Sequence, residues 1–353
     1  MQWEIEPLIN PHTHLREDKK NEGQEVVGAL VDHAAAGGAI ALGPMPNTEK
    51  GLLRARDVTS YIAHAKDSKS APMEFIPIVQ LTEQTTEKTI DSCVAAGIYD
   101  AKVYPFGRTT KSHLGVKKYE RIIPVAAYAG SREMRTHVHP EHPLPFFENR
   151  DAEFAFLPIA DMLVNEGAIV VWEHGTDARC IPFWKHWAKT GRFYVTLTAH
   201  HLATNESETY GDVQAVCKPP YKTENDRESL KQFVMEGHSW VMAGGDDAPH
   251  PKGKKHVPGP CACGAYTAPF LLPLYAHALS ELLESEDPDD EAIFRSFINY
   301  NALKVYGDLF LHLHMPRVRL VKKEFRIPRS YKIGSWEVEP FWAGRTINYS
   351  IEQ

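Results

Sequence analysis

The sequence predicts an α/β chain folded as a (β/α)8 TIM barrel with a short β-like extension at its C-terminal end. Two observations carry this. Short apolar runs alternate with stretches of helical apolar spacing over about the first three hundred residues, the pattern of repeated βα units. No glycine-rich phosphate fingerprint follows the first run, which counts against a doubly wound dinucleotide fold.

In chain order the candidate strands are Glu6–Asn10, Ala39–Gly43, Glu74–Leu81, Asp100–Tyr104, Met134–His139, Ile169–Glu173, Tyr194–Leu197 and Trp240–Gly244. The first intervening helix is marked by Val27, Leu30, Val31 and Ala34, the i, i+3, i+4, i+7 spacing of a buried stripe. Further helical stretches fall near Leu53–Lys66, Thr86–Ala96, Tyr119–Ala129, Ala155–Asn165, Ala178–Lys189 and Asp226–Glu236. After about Asp308 the alternation stops and a basic, β-like tail runs to Gln353. Its Arg317, Arg319, Lys322, Lys323, Arg326 and Arg329 are interspersed with Val318, Leu320, Phe325 and Ile327, which reads as the solvated face of strands. No linker or repeat divides the chain, so residues 1–353 are expected to form one domain, with about 308–353 as its extension.

Composition bounds the function. The chain has 353 residues, 43% hydrophobic and 24% charged, as in a soluble globular protein. Its net charge of −7 gives no reason to expect nucleic acid or an anionic membrane as partner. No apolar run reaches the roughly 18 residues of a membrane helix, and a first strand so near Met1 leaves no room for a signal peptide. Five cysteines are too few and too scattered for a disulfide framework, which points to the cytoplasm. The 18 histidines are the oddity.

Several of those histidines stand at strand ends. In Pro11-His12-Thr13-His14-Leu15-Arg16, two imidazoles two residues apart on a strand share a face, and Arg16 follows on that face. Later strands end in Met45-Pro46-Asn47, Ala101-Lys102-Val103-Tyr104, His137-Val138-His139, Trp172-Glu173-His174 and Gly244-Gly245-Asp246-Asp247-Ala248-Pro249-His250. Metal-ligand residue types recurring at C-terminal strand ends are what a barrel enzyme needs, because its active site is built there.

These segments, in this order, resemble dihydroorotase of the short bacterial type, in the amidohydrolase superfamily; they run from Pro11–Arg16 to Phe341-Trp342-Ala343-Gly344. The resemblance implies two zinc ions, one held by His12, His14 and Asp246 and the other by His139 and His174. Lys102 would be carboxylated and bridge them. Asp246 would also shuttle the proton. Arg16, Asn47 and His250 would grip a substrate carboxylate, Lys218 and Cys263 would line the substrate, and Thr109 and Thr110 would belong to a mobile loop between Gly107 and Gly115. The implied reaction interconverts L-dihydroorotate and N-carbamoyl-L-aspartate in pyrimidine synthesis, carried out by a cytoplasmic homodimer. A hydantoinase- or allantoinase-like amidase, or an inactive subunit, are the alternatives; the carboxylate grip argues against the first and the complete ligand set against the second.

Two positions depart from the family pattern: Pro140 replaces a glycine, and Asp247 replaces a common serine. Asp247 is expected to face outward, His137 to be a hydrogen-bonded core residue, and His201 to support the site without ligating. Cys261-Ala262-Cys263 is spaced too closely for a zinc site and reads as loop, and His312-Leu313-His314 as surface strand.

Overall fold

The chain opens with two strands of different kinds, β1 (Gln2–Ile5) and β2 (Leu8–Thr13). The computed structural model describes residues 1–17, 26–310 and 315–352, so His312 and His314 lie outside the described residues. β2, β3 (Ala39–Pro44) and β4 (Glu74–Phe75) form a three-stranded parallel sheet. β5 (Ile78–Leu81), β6 (Asp100–Val103), β7 (Arg135–Val138), β8 (Ile169–Trp172), β9 (Phe193–Leu197) and β10 (Val241–Ala243) form a six-stranded parallel sheet, each beside its neighbour in sequence.

The segment expected as one strand, 74–81, is thus shared between the two sheets. Its break falls at Ile76-Pro77, where proline has no N–H to give a ladder; the Ile76 amide still donates to Leu42 O at 2.8 Å. On the other side, the end of β2 is bonded to the segment after β10. Asp246 N donates to His12 O at 2.9 Å and His14 N to Asp247 O at 3.0 Å. Asn10 accepts from Gly245 N at 2.7 Å and donates to Asp247 Oδ1 at 3.0 Å. Thr13 Oγ1 donates to Asp247 Oδ2 at 2.7 Å.

Between the strands lie helices Val26–Ala36, Ala55–Ser68, Glu87–Ala95, Ile123–Ser131, Leu157–Asn165, Ile181–Trp187 and Glu224–Met235, close to the expected stretches. Among the described residues five more, Lys252–Lys255, Leu271–Ala278, Ser280–Glu284, Pro288–Arg295 and Asn301–Tyr306, follow the last parallel strand. β1 was not expected. Trp3 and Ile5 are buried while Gln2 and Glu4 are exposed, and its partner, Val318–Val321, lies at the far end of the chain. The C-terminal extension is made of short antiparallel strands, as expected. Leu320 and Ile327 are buried, whereas Arg317 pairs with Glu6 and Lys322 with Glu284 at the surface.

β2 also runs further than expected, to Thr13, so His12 lies within the strand. Room for this comes from Gly43 on β3: a Cβ there would stand 2.1 Å from the Pro11 carbonyl oxygen. Gly43→Ala must therefore push β2 outward beside His12. The expected cost is about 1–3 kcal/mol, read by chemical denaturation; an unchanged midpoint would show that β2 yields freely.

Candidate active site

Every residue singled out as a metal ligand stands at the C-terminal end of a parallel strand. His12 is in β2 with His14 just past it, Lys102 is in β6, His139 directly follows β7, His174 follows β8 and Asp246 follows β10. The structure brings them together. The rings of His12 and His14 are 5.5 Å apart, those of His12 and His174 5.1 Å, and those of His139 and His174 4.7 Å. His174 and Asp246, together with Arg16, hold positive φ angles of 40°, 43° and 60°. Left-handed backbone at non-glycine residues is costly and tends to gather at functional sites.

The protonation of His14 can be worked out from its partners. Asn47 Nδ2 donates to Thr110 O at 3.0 Å, which fixes the amide orientation. Asn47 Oδ1 therefore accepts from His14 Nδ1 at 3.0 Å. Burial pushes His14 down to about 4, so the ring is neutral and its Nε2 carries a lone pair. That lone pair faces Asp246 Oδ1 at 3.1 Å. His12 Nε2 approaches the same oxygen at 3.2 Å, while His12 Nδ1 lies 2.9 Å from Glu173 Oε2, close but out of line for a full hydrogen bond. Two imidazoles and a carboxylate converging on one point, with a lone pair aimed at an anion, form an arrangement that a cation completes.

The second half of the cage is short of partners. His139 Nε2 donates to Glu141 Oε2 at 2.7 Å, which leaves Nδ1 as the lone-pair atom. His174 Nδ1 is buried with no hydrogen-bond partner among the described residues, and burial beside His139 drives its pKa far down. Lys102 is fully buried, and its Nζ likewise has no hydrogen-bond partner among the described residues. An ion-pair role for Lys102 would need a carboxylate. Asp100 is instead bonded to Arg135 and His137. Burial pushes Lys102 down to about 8, within reach of the neutral amine.

Beside the cage lies a more open pocket lined by Arg16, Thr110, Lys111 and His250. Arg16 Nε donates to Pro249 O at 2.9 Å, and its Nη2 touches His250 Nε2 at 3.0 Å. His250 Nε2 in turn donates to Cys263 O at 2.8 Å. Thr110 Oγ1 donates to that same carbonyl at 3.3 Å. The loop carrying Thr109 and Thr110 is thus latched to both Asn47 and Cys263. Gly107 has a φ of 72° at its start, a conformation glycine adopts without strain. Lys218 lies further out, with Nζ 2.5 Å from Asn149 Oδ1.

One expectation is corrected. Asp247 faces inward, buried and bonded to Asn10 and Thr13, and burial raises it to about 6. It sits across the join between the two sheets, where a helix cap has no place. His201 stands close to His200 and Cys217, all three buried with ligand-type atoms within 4.8 Å of one another. His201 Nε2 and the Cys217 thiol both donate to Pro219 O, at 3.0 and 3.2 Å, and Thr198 Oγ1 donates to His201 Nδ1 at 2.6 Å. Two of the three are therefore satisfied within the protein, and His201 braces the 217–219 turn. Asn10, Glu141 and Glu173 were missed as functional residues. Glu141 and Glu173 stand two and one residues from His139 and His174, the one signal that could have found them.

No protein-family model matches the chain. The probable dihydroorotase of Schizosaccharomyces pombe is 30% identical over 336 residues, covering 94% of each chain. The chain belongs to the dihydroorotase family. Among solved structures, Campylobacter jejuni dihydroorotase superposes with a TM-score of 0.84 at 26% identity, over 100% of this chain and 98% of that one. Saccharomyces cerevisiae dihydroorotase, solved in complex with 5-fluoroorotic acid, has the same fold, with a TM-score of 0.88 at 23% identity over 99% and 98%. Dihydroorotases are metal-dependent, and His12, His14 and Asp246 form a candidate metal-binding group in this chain.

A metal bound only by the folded cage raises stability, by about 2.7 kcal/mol at a hundred times its Kd. Zinc is expected to raise the Tm of the apoprotein, and Asp246→Asn to remove most of that rise. A melting curve indifferent to zinc would contradict the cage.

Proposed function

We propose that this chain is a binuclear zinc cyclic amidohydrolase that interconverts L-dihydroorotate and N-carbamoyl-L-aspartate. The observation that carries the reading is the convergence of His12, His14 and Asp246 beside Arg16, a ligand cage next to a half-buried cation. His12, His14 and Asp246 would hold one ion, His139 and His174 the other, and carboxylated Lys102 would join them. Metal bound there supplies Lewis acidity toward the amide carbonyl and lowers the pKa of water toward neutrality.

The chain's own residues do the rest. Arg16, with Asn47 and His250 around it, orients the substrate by its carboxylate. Asp246, anchored through its backbone to His12, takes a proton from the attacking water and returns it to the departing ring nitrogen. In ring closure it moves the proton the other way. The loop of Thr109 and Thr110, latched to Asn47 and Cys263, excludes bulk water while this happens. Lys218 and the Cys263 backbone would meet the substrate from the outer side of the site. Glu141 and Asn47 set the tautomers of His139 and His14.

We read the two parallel sheets as one eight-stranded barrel, shared at 74–81 and joined by Asn10, Thr13 and Asp247, within a single domain that includes the extension. Among the described residues no helix is long and apolar enough to cross a membrane. A cytoplasmic homodimer serving pyrimidine synthesis goes with this reading, and light scattering measures the dimer directly.

The test is ring opening of L-dihydroorotate by zinc-loaded protein, followed as loss of substrate absorbance, beside an uncharged cyclic amide of the hydantoin type. Turnover of dihydroorotate alone is expected. Turnover of the uncharged ring alone would move the assignment to a hydantoinase-like amidase. Lys102→Ala should lose metal and activity together, and full activity would remove Lys102 from the site. Arg16→Ala should raise KM by about tenfold or more, as loss of a charge-assisted bond does; an unchanged KM would take Arg16 off the substrate.

A further inference from the structure

A second set of charges lies inside the parallel sheet, beneath the ligand cage. Arg135 donates twice to Asp100, at 2.7 Å to each carboxylate oxygen. Asp100 Oδ1 is 2.9 Å from His137 Nε2, and His137 Nδ1 is 2.5 Å from Glu173 Oε1. The other oxygen of Glu173 accepts from Thr196 Oγ1 at 2.5 Å and faces His12 Nδ1 at 2.9 Å. Asp100, His137 and Glu173 are wholly buried. The β6–β7 register, Asp100 beside Arg135 and Lys102 beside His137, stacks the chain in layers that rise toward the cage.

Charges this deep are costly to desolvate, and well-packed apolar residues of similar volume would serve stability at least as well. What the chain achieves is direction. A carboxylate held by one oxygen can turn about its last bond, whereas Glu173 is gripped on both. With Oε1 taken by His137 and Oε2 bonded to Thr196, the carboxylate is held with Oε2 2.9 Å from His12 Nδ1, where its negative charge favours a proton on that nitrogen. A proton on Nδ1 then leaves Nε2 as the lone-pair atom, aimed at Asp246.

We propose that Asp100 and His137 are positioning residues for the metal centre, clamping Glu173 so that it fixes the ring and tautomer of the ligand His12. The inference rests on the metal-centre reading above. The Tyr306 ring, against Arg135 at 4.9 Å and His137 at 6.3 Å, backs the clamp from below.

The experiment compares the full-length wild type, His137→Phe and Asp100→Asn, with folding checked by circular dichroism. Zinc affinity is read by competition with a chromophoric chelator, and ligand geometry by the visible spectrum of the cobalt(II)-loaded protein. Loss of a bond that orients a ligand weakens metal binding about 10–100-fold. His137→Phe is expected to show that loss together with an altered cobalt band, and Asp100→Asn a smaller loss in the same direction. If His137→Phe does not fold, Asp100→Asn, which keeps the side-chain shape, decides the matter. A folded variant with wild-type zinc affinity and an unchanged cobalt spectrum overturns the clamp and leaves the metal centre standing. Failure of the wild type to bind either metal overturns the metal reading, and the clamp with it.

Discussion

An imidazole lone pair held 3.1 Å from a carboxylate oxygen is repulsive unless something positive lies between them. His14 and Asp246 are held in that relation, and much of the structure serves to hold them there. Thr110 O orients the Asn47 amide, the amide sets the His14 tautomer, and the backbone bond from Asp246 N to His12 O fixes where the carboxylate stands. Positive φ at Arg16, His174 and Asp246 shows the backbone bent to the same end. A cation placed between them would turn this repulsion into attraction.

The geometry depends on where the first parallel strand meets the last. Asn10 receives the Gly245 amide, and Asp247 is tied to Asn10 and Thr13. Together they carry Asp246 across to His12 and His14 from the opposite end of the sequence. Asp247 is therefore part of the framework on which the cage stands. The short cage contacts follow from this join, just as the pocket beside Arg16 follows from the loop latched on Asn47 and Cys263.

Much of this was legible in the sequence. The parallel strands were legible because apolar runs separated by helical stripes have few other solutions, and the gathering of histidine, lysine and aspartate at strand ends because such residues are conspicuous beside apolar strands. What escaped was contact between distant residues. Nothing local says that β1 pairs with Val318–Val321, since its alternation fits many partners. Pro77 interrupts a run that otherwise reads as one strand. Asp247 reads as an outward cap because the polar pocket that receives it is built by Asn10 and Thr13, more than two hundred residues earlier. Asp100, Arg135 and His137 likewise show their purpose only once β6 and β7 are in register.

The most direct measurement is anomalous diffraction at the zinc edge from crystals of the zinc-loaded protein. An ion within ligand distance of His12 Nε2, His14 Nε2 and an Asp246 oxygen is the predicted result. An anomalous peak only elsewhere, with the three side chains unchanged, would contradict it.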